Sequence, residues 1–590
     1  MGGIQWENAG RTPGWYWGRN VDTWAGLYES PDYVPNSIPV INDIAYPLGD
    51  NNNMIEYMVE PGLTLNHNLS VSGGSNNTTY FLSAGLMNQN GVLVLDKDRY
   101  NRKNVMTKVD SEINNWLSIG ATLGFTRGIQ NMPYIPNNAS YMYSVSYLRP
   151  TFWLTGTDEV WGFSPAMVDL GAKNTYETKN TNVQLRASVK PFEGMNIEAN
   201  YTHRSITQND SYHVNKYAMA NPTDGPGIVY YYRNDPNSLR KTAGFNNYDN
   251  LYFTGEYQKK ILDHNFKLMV GYSQEESSEN SFFAQRQGLI SDEVPALSLA
   301  IGNSSVGDGT TEWATRSGLY RLNYDYKGKY LLETLGRYDG SSRFERDNRF
   351  IFSPSASVGW VVSRESFMES TNTWLNFLKI RVSYGTQGNQ QVGAYSYIPS
   401  MNTGTANWIL NGERPLYTGP GGLVSDYYTW EKVNSINFGM DLAFFKNKLQ
   451  TTLEVYERET IGMLTAGQVL PDLLGTSVPN ENSADLKVKG WELSLNWADR
   501  VSDKFSYSTN VILYDDKATI TSYENPTGFL GSLYEGKEVG EIWGYETDRL
   551  FQETDFESVD SERQYVPGIS LGIGYPIPEM SNIKILTMTG

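Results

Sequence analysis

Runs of alternating apolar and polar residues recur along this chain, and the connections between them alternate between short and long. The short ones are SNNT at 75–78, SEINNW at 111–116, KPFEGM at 190–195, KKILDH at 259–264, YKGK at 326–329, FKNK at 445–448 and RVSDK at 500–504. Between them lie 88–98, 128–179, 205–248, 278–311, 387–427 and 462–484. Short turns on one rim and long loops on the other are the plan of a transmembrane β-barrel. A soluble sandwich or propeller has no reason to segregate loop length in this way. Two connections depart from the rule: 341–348 is short where a long loop is due, and 364–375 is long where a turn is due and has room for a helical turn.

The runs themselves have one apolar and one polar face, because successive side chains of a strand point to opposite sides. In HNLSVSGGSNNTTYFLSAGLMNQNGV, Leu69 and Val71 oppose Asn68, Ser70 and Ser72, and after a polar turn Tyr80, Leu82, Ala84 and Leu86 share a face. Leu378, Ile380, Val382 and Tyr384 oppose Lys379, Arg381 and Ser383. Ile436, Phe438, Met440, Leu442 and Phe444 form another apolar face, as do Leu449, Thr451, Leu453 and Val455 opposite Gln450, Thr452, Glu454, Tyr456 and Arg458. About sixteen strands follow, the first running toward the short-turn rim from near residue 66 and the last, near 504–520, running away from it.

Composition fits this reading. Apolar residues make up 39% of 590 while aromatics reach 13%, with 41 Tyr and 15 Trp, which excludes a disordered chain. No run of eighteen apolar residues occurs, so spanning helices are excluded, whereas a barrel strand needs only about 9–11 residues with alternate ones apolar. A net charge of −18 argues against a nucleic-acid partner. The absence of cysteine suits the periplasm or cell surface but is also common in cytosolic proteins. Trp116, Trp491, Trp497, Tyr324, Tyr326, Tyr330 and Tyr507 fall near strand ends, as rings of a membrane-border girdle would, or as ordinary cross-strand aromatic pairs would.

Catalytic and metal chemistry find no constellation. The four histidines, His67, His203, His213 and His264, have no HExxH spacing and no cysteine partner, so neither a zinc site nor another cofactor is expected. Carboxylate pairs such as Asp339 and Glu345 are inevitable among 65 acidic residues, and Asp308 and Asp325 belong to no calcium loop. Binding is the better hypothesis for the loops. YMYSVSYLRPTFWLTG, IVYYYRND and GTANWIL carry Tyr143, Trp153, Tyr231, Tyr232 and Trp408, whose ring faces suit sugars or peptide side chains. The rival reading is that these rings pack the loops together or against another protein. Arg381, Asp441, Glu454 and Arg458 are expected to line the lumen.

The blocks RYNRKNVMTKVDSEINNWLSIG, YLLETLGRYDGSSRFERDNRFIFSPSASVGWVVSRESFM, NFLKIRVSYGTQGNQ and LPDLLGTSVPNENSADLKVKGWELSLNW, with the hairpin quoted above, resemble the barrel of the SusC/RagA family of TonB-linked outer-membrane transporters, and YEGKEVGEIWGYETDRLFQ is similar to its segment before the last strands. The resemblance, over about residues 60–552, implies a barrel of about 22 strands around a plug, in the outer membrane of a Bacteroidetes-like bacterium. It implies import of oligosaccharides or peptides driven through the TonB complex, with a SusD-like lipoprotein as a lid. On this reading the chain is an all-β barrel fragment without its plug: 1–59 an irregular segment, 60–520 barrel strands with long loops, and 521–590 a loop and truncated C-terminal region. A passive porin or surface adhesin is the alternative, and a secreted β-rich carbohydrate-active protein a further one.

Overall fold

The computed structural model describes residues 60–93, 98–133, 172–222, 228–425, 428–467 and 478–543, with short pieces elsewhere; side chains are not described over 217–233. Its centre is a single sixteen-stranded antiparallel sheet in which each strand pairs with its neighbours along the chain. The strands are β1 Thr64–Gly74, β2 Thr78–Asn90, β3 Arg99–Asn114, β4 Leu117–Pro133, β5 Lys173–Val189 and β6 Met195–Val214. They continue as β7 Ser238–Ile261, β8 His264–Gln287, β9 Ser304–Tyr326, β10 Tyr330–Ser341 and β11 Phe350–Val361. The last five are β12 Leu375–Asn389, β13 Glu431–Phe444, β14 Leu449–Ala466, β15 Asn480–Ser502 and β16 Phe505–Tyr523. The expected strand count, directions and rims are all present.

Period-two patterning sets the register. Leu69, Ala84, Val105 and Phe125 are opposed across β1 to β4, and Val358, Val382, Phe438, Val455 and Trp491 across β11 to β15. A slip of one residue would turn a whole strand's apolar set onto the polar face, so the pattern pins the pairing. Among the described residues no second layer covers these side chains: Leu69 is 70% exposed, Phe438 42% and Val455 50%. The fully buried Phe344, Leu239 and Ile520 all lie at the long-loop rim rather than beneath the sheet. A chain that leaves its greasiest face uncovered along sixteen strands is built for a hydrocarbon surrounding.

Turns on the short rim follow local chemistry. At YKGK, Lys327 and Gly328 both take left-handed backbone (φ 54° and 64°), the geometry a two-residue hairpin requires. Lys329 N–H donates to the Tyr326 carbonyl (2.9 Å), and the Asp325 carboxylate accepts from Gly328 N–H (2.9 Å). The irregular connection after β11 holds 3₁₀ segments at Val362–Arg364 and Ser366–Thr371, the helical turn the sequence allowed, and Arg346–Asn348 forms another on the opposite rim.

The long-rim segments are shorter than the sequence suggests, because the strands continue past the apolar band. β7 and β8 reach 24 residues each, and 205–248 contracts to a connection between Val214 and Ser238. Above the band both faces are polar, so apolar alternation fades while backbone pairing persists. Two of these connections carry hairpins of their own, Tyr217–Pro222 with Ile228–Arg233 and Met401–Thr405 with Leu416–Gly421.

Candidate functional site

The face opposite the apolar band carries a lattice of charges laid across strands. Arg381 on β12 reaches the carboxylates of Asp441 on β13 (3.3 Å) and Glu454 on β14, and Asn437 donates to the other Glu454 oxygen (2.9 Å). One strand, β13, separates Arg381 from Glu454, and its Gly439 lies between them. A Cβ there would stand 2.5 Å from the Arg381 guanidinium carbon. The same device recurs on β3 to β5, where Arg186 meets Asp110 (2.7 Å) across Gly120. Glycine is poor in strands in general; here it leaves the groove through which a long cation crosses a strand.

Further along, the Arg321 guanidinium Nε donates to Glu333 (2.9 Å), with Asn323 as a second donor, and Arg337 bonds Asp339 (2.9 Å) and the Ser317 hydroxyl (3.0 Å). A cleft of about 690 Å³ runs along Asn265, Lys267, Asn323, Glu333, Lys379 and Arg381. A second of about 510 Å³ lies nearer the long-loop rim, along Thr315, Ser317, Arg337, Asp339, Ser353, Gln387 and Trp430. In the second, the buried Ser353 hydroxyl has no protein partner, nor does the Gln390 amide oxygen. Polar atoms left open in this way favour a ligand or water that brings hydrogen bonds.

Loops above this cleft are fixed by a small core. Phe344, Ile351, Tyr428 and Trp430 pack together, with Phe344 and Trp430 ring centres 5.0 Å apart. Trp430 Nε1–H donates to the Arg349 carbonyl (3.1 Å), and Arg343 donates to the Val392 carbonyl (2.8 Å) while its guanidinium sits 4.9 Å from the Trp313 ring centre. The segment 342–349 is thereby tied to Val392 and to Tyr428 and Trp430 just before β13.

The short-turn rim has a different anchor. The Glu365 carboxylate accepts from Lys329 Nζ (2.9 Å), Tyr330 O–H (2.8 Å) and Trp360 Nε1–H (3.2 Å). These donors, Lys329 foremost, hold its pKa down from 4.5 to about 2. Rings continue from there along the rim: Tyr326, Tyr330 and Trp360 stack at 6.3 and 6.5 Å, and Trp497 Nε1–H donates to Tyr507 O–H (3.1 Å). Tyr324, Tyr326, Tyr330, Trp497 and Tyr507 thus belong to one border, as a girdle requires. Trp491 stands on the other side of the band, beside Lys489 and Glu457.

Of the ring residues singled out from sequence, Tyr143 and Trp153 lie outside the described residues. Tyr231 and Tyr232 are placed by backbone only, opposite Met219 and Ala218 in the hairpin over β6 and β7. Trp408 is 58% exposed between the two strands of the 401–421 hairpin and touches none of the other four among the described residues. Arg381, Asp441 and Glu454 do come together, and Arg458 lies over the Tyr456 ring (5.8 Å). The sequence reading missed Trp430, Arg343 and the Ser317–Arg337–Asp339 group. Their signal was available in part: Arg337 and Asp339 alternate with the outward Tyr338 at the outer end of a strand.

An uncovered apolar face backed by a cross-linked polar one, with the described connections at the two rims, is the wall of a transmembrane β-barrel. Residues 6–542 match the family described as TonB dependent receptor-like, beta-barrel, and the chain belongs to that family. It is similar to TonB-dependent receptor P3 of Formosa agariphila, 24% identical over 84% of this chain and 51% of that protein. It is also similar to TonB-dependent receptor SusC of Bacteroides thetaiotaomicron, 23% identical over 75% of this chain and 46% of that one. Among solved structures, the RagAB peptide importer in its closed-closed state superposes with a TM-score of 0.72 at 20% identity, over 93% of this chain and 60% of that one. The resemblance to SusC and RagA drawn from the quoted motifs therefore stands. The chain spans about half the length of the curated relatives it matches.

Proposed function

We propose that this chain forms the barrel wall of an outer-membrane transporter that imports a nutrient by TonB coupling, with a SusD-like lipoprotein closing over the long-loop rim. The observation that carries this reading is the polar wall itself: Glu333 at the first cleft is paired with Arg321 and Asp339 in the second with Arg337, while the Ser353 hydroxyl and the Gln390 amide oxygen stand open. A neutral, hydroxyl-rich substrate suits such a lining better than a charged one, and oligosaccharide is the substrate class we assign ahead of peptide. The family and the names of the relatives support TonB coupling, and the rim core around Trp430 supports loops that hold a fixed shape for a lid.

The test is uptake of a labelled oligosaccharide pool by cells that carry the full coding sequence with its neighbouring genes, with and without a protonophore. Uptake that depends on the gene and stops with the protonophore is expected. Gene-dependent uptake that persists without a proton gradient would make the protein a passive pore, and uptake of peptides alone would overturn the substrate class.

A further inference from the structure

Lys103 on β3, Arg127 on β4 and Lys179 on β5 are directly opposed in register, one row across three strands. Their parity is that of Val105, Phe125 and Leu185, so they project from the apolar, outward face. Arg127 is ten residues beyond Leu117, where β4 leaves the short-turn rim; at about 3.3 Å per residue and a tilt near 40° that is a height of about 25 Å. The row therefore stands where the hydrocarbon band ends. Immediately below it, Val105 is 48% and Phe125 44% exposed.

The charge on this row is not balanced. Glu177 accepts from Arg127 Nε (2.6 Å) and pairs with Lys179 Nζ (3.4 Å), while Lys103 is exposed and has no ion-pair partner among the described residues. Three cations and one carboxylate leave two positive charges. On the outward face of β15, by contrast, Lys487 and Lys489 are matched by Glu457 and Glu459.

We propose that the outward face of β3 to β5 binds the phosphate-bearing headgroup of a lipid. The phosphate sits between Lys103 and Arg127, where guanidinium and ammonium donors converge on it, and the acyl chains lie on Val105, Phe125 and Leu123. A headgroup supplies the missing anion without any other chain, and the apolar residues beneath it match its tails. This site rests on the barrel fold alone and not on what the barrel transports.

The test uses the full chain in detergent micelles doped with either dioleoyl phosphatidic acid or dioleoyl phosphatidylcholine, with retained lipid counted by native mass spectrometry. The expected result is about tenfold greater retention of phosphatidic acid, falling to the phosphatidylcholine level in the Lys103→Gln, Arg127→Gln, Lys179→Gln triple variant. Glu177→Gln, which removes only the competing carboxylate, raises retention and serves if the triple variant fails to fold. Inorganic phosphate at equal concentration leaves the lipid in place, because the tails contribute to binding. Equal retention of the two lipids, an unaltered folded triple variant, or displacement by inorganic phosphate overturns the proposal.

Discussion

Arg381 contacts Glu454 across an intervening strand because residue 439 between them is glycine. The pair is thus a property of three positions, and its first consequence concerns the sign of a glycine substitution. Gly→Ala in a strand is ordinarily favourable by about 0.5–1 kcal/mol. Gly439→Ala is expected to lose about 1–3 kcal/mol instead, by pushing the guanidinium off the carboxylate. Gly318→Ala, where an added Cβ meets nothing within 4 Å, should show the ordinary gain. Urea unfolding of the two variants in lipid vesicles checks the opposite signs, and Arg381→Gln should cost little further in the Gly439→Ala background.

Charge on the two faces of one strand has unequal cost. Leu453→Arg places a cation in the hydrocarbon band and is expected to destabilise by about 2–4 kcal/mol, whereas Thr452→Arg, on the polar face next to Asp441, should stay within about 1 kcal/mol. Folding titrations of both variants decide it.

Glu365 gives the short-turn rim a pH dependence. Its carboxyl is held near 2 in the folded protein against an ordinary 4.5, so the folded state binds that proton less well than the unfolded state. Its contribution is fully present above about 4.5 and is lost as pH falls through about 2. The melting-temperature advantage of the wild type over Glu365→Gln should therefore be constant at pH 6, shrink below pH 4.5 and vanish near pH 2.

Trp430→Ala opens a cavity in the rim core and removes the bond to Arg349. We expect a local loss of about 3–5 kcal/mol, read as faster amide exchange across 342–349 and 390–400 with β13 and β14 still protected at the short-turn rim.

The fold was legible because its signal is periodic and repeated. Leu378, Ile380 and Val382 state a strand and a face, the turns FKNK and YKGK state a rim, and sixteen repetitions leave little freedom in topology. Strand ends above the membrane were not legible. Between 205 and 214, and again between 238 and 248, both faces meet water, so Ser205 and Asn247 carry no apolar alternation although they pair as firmly as the rest. The site was legible only where it shares that period. Arg381, Asp441 and Glu454 fall on the polar parity of their strands, whereas Trp430 and Arg343 act through contacts between loops distant in sequence, which no local pattern encodes. The loop rings Tyr231, Tyr232 and Trp408 were chosen by composition, and composition does not say which rings meet.

The most direct test of the central claim is a nitroxide scan of β12 from Leu378 to Tyr384 in lipid nanodiscs, measuring collision with oxygen and with a water-soluble nickel chelate. Labels at 378, 380, 382 and 384 should be reached by oxygen and those at 379, 381 and 383 by the chelate, alternating residue by residue. Uniformly low access to both reagents at 378, 380, 382 and 384 would mean that protein, not lipid, covers the apolar face, and would contradict the account.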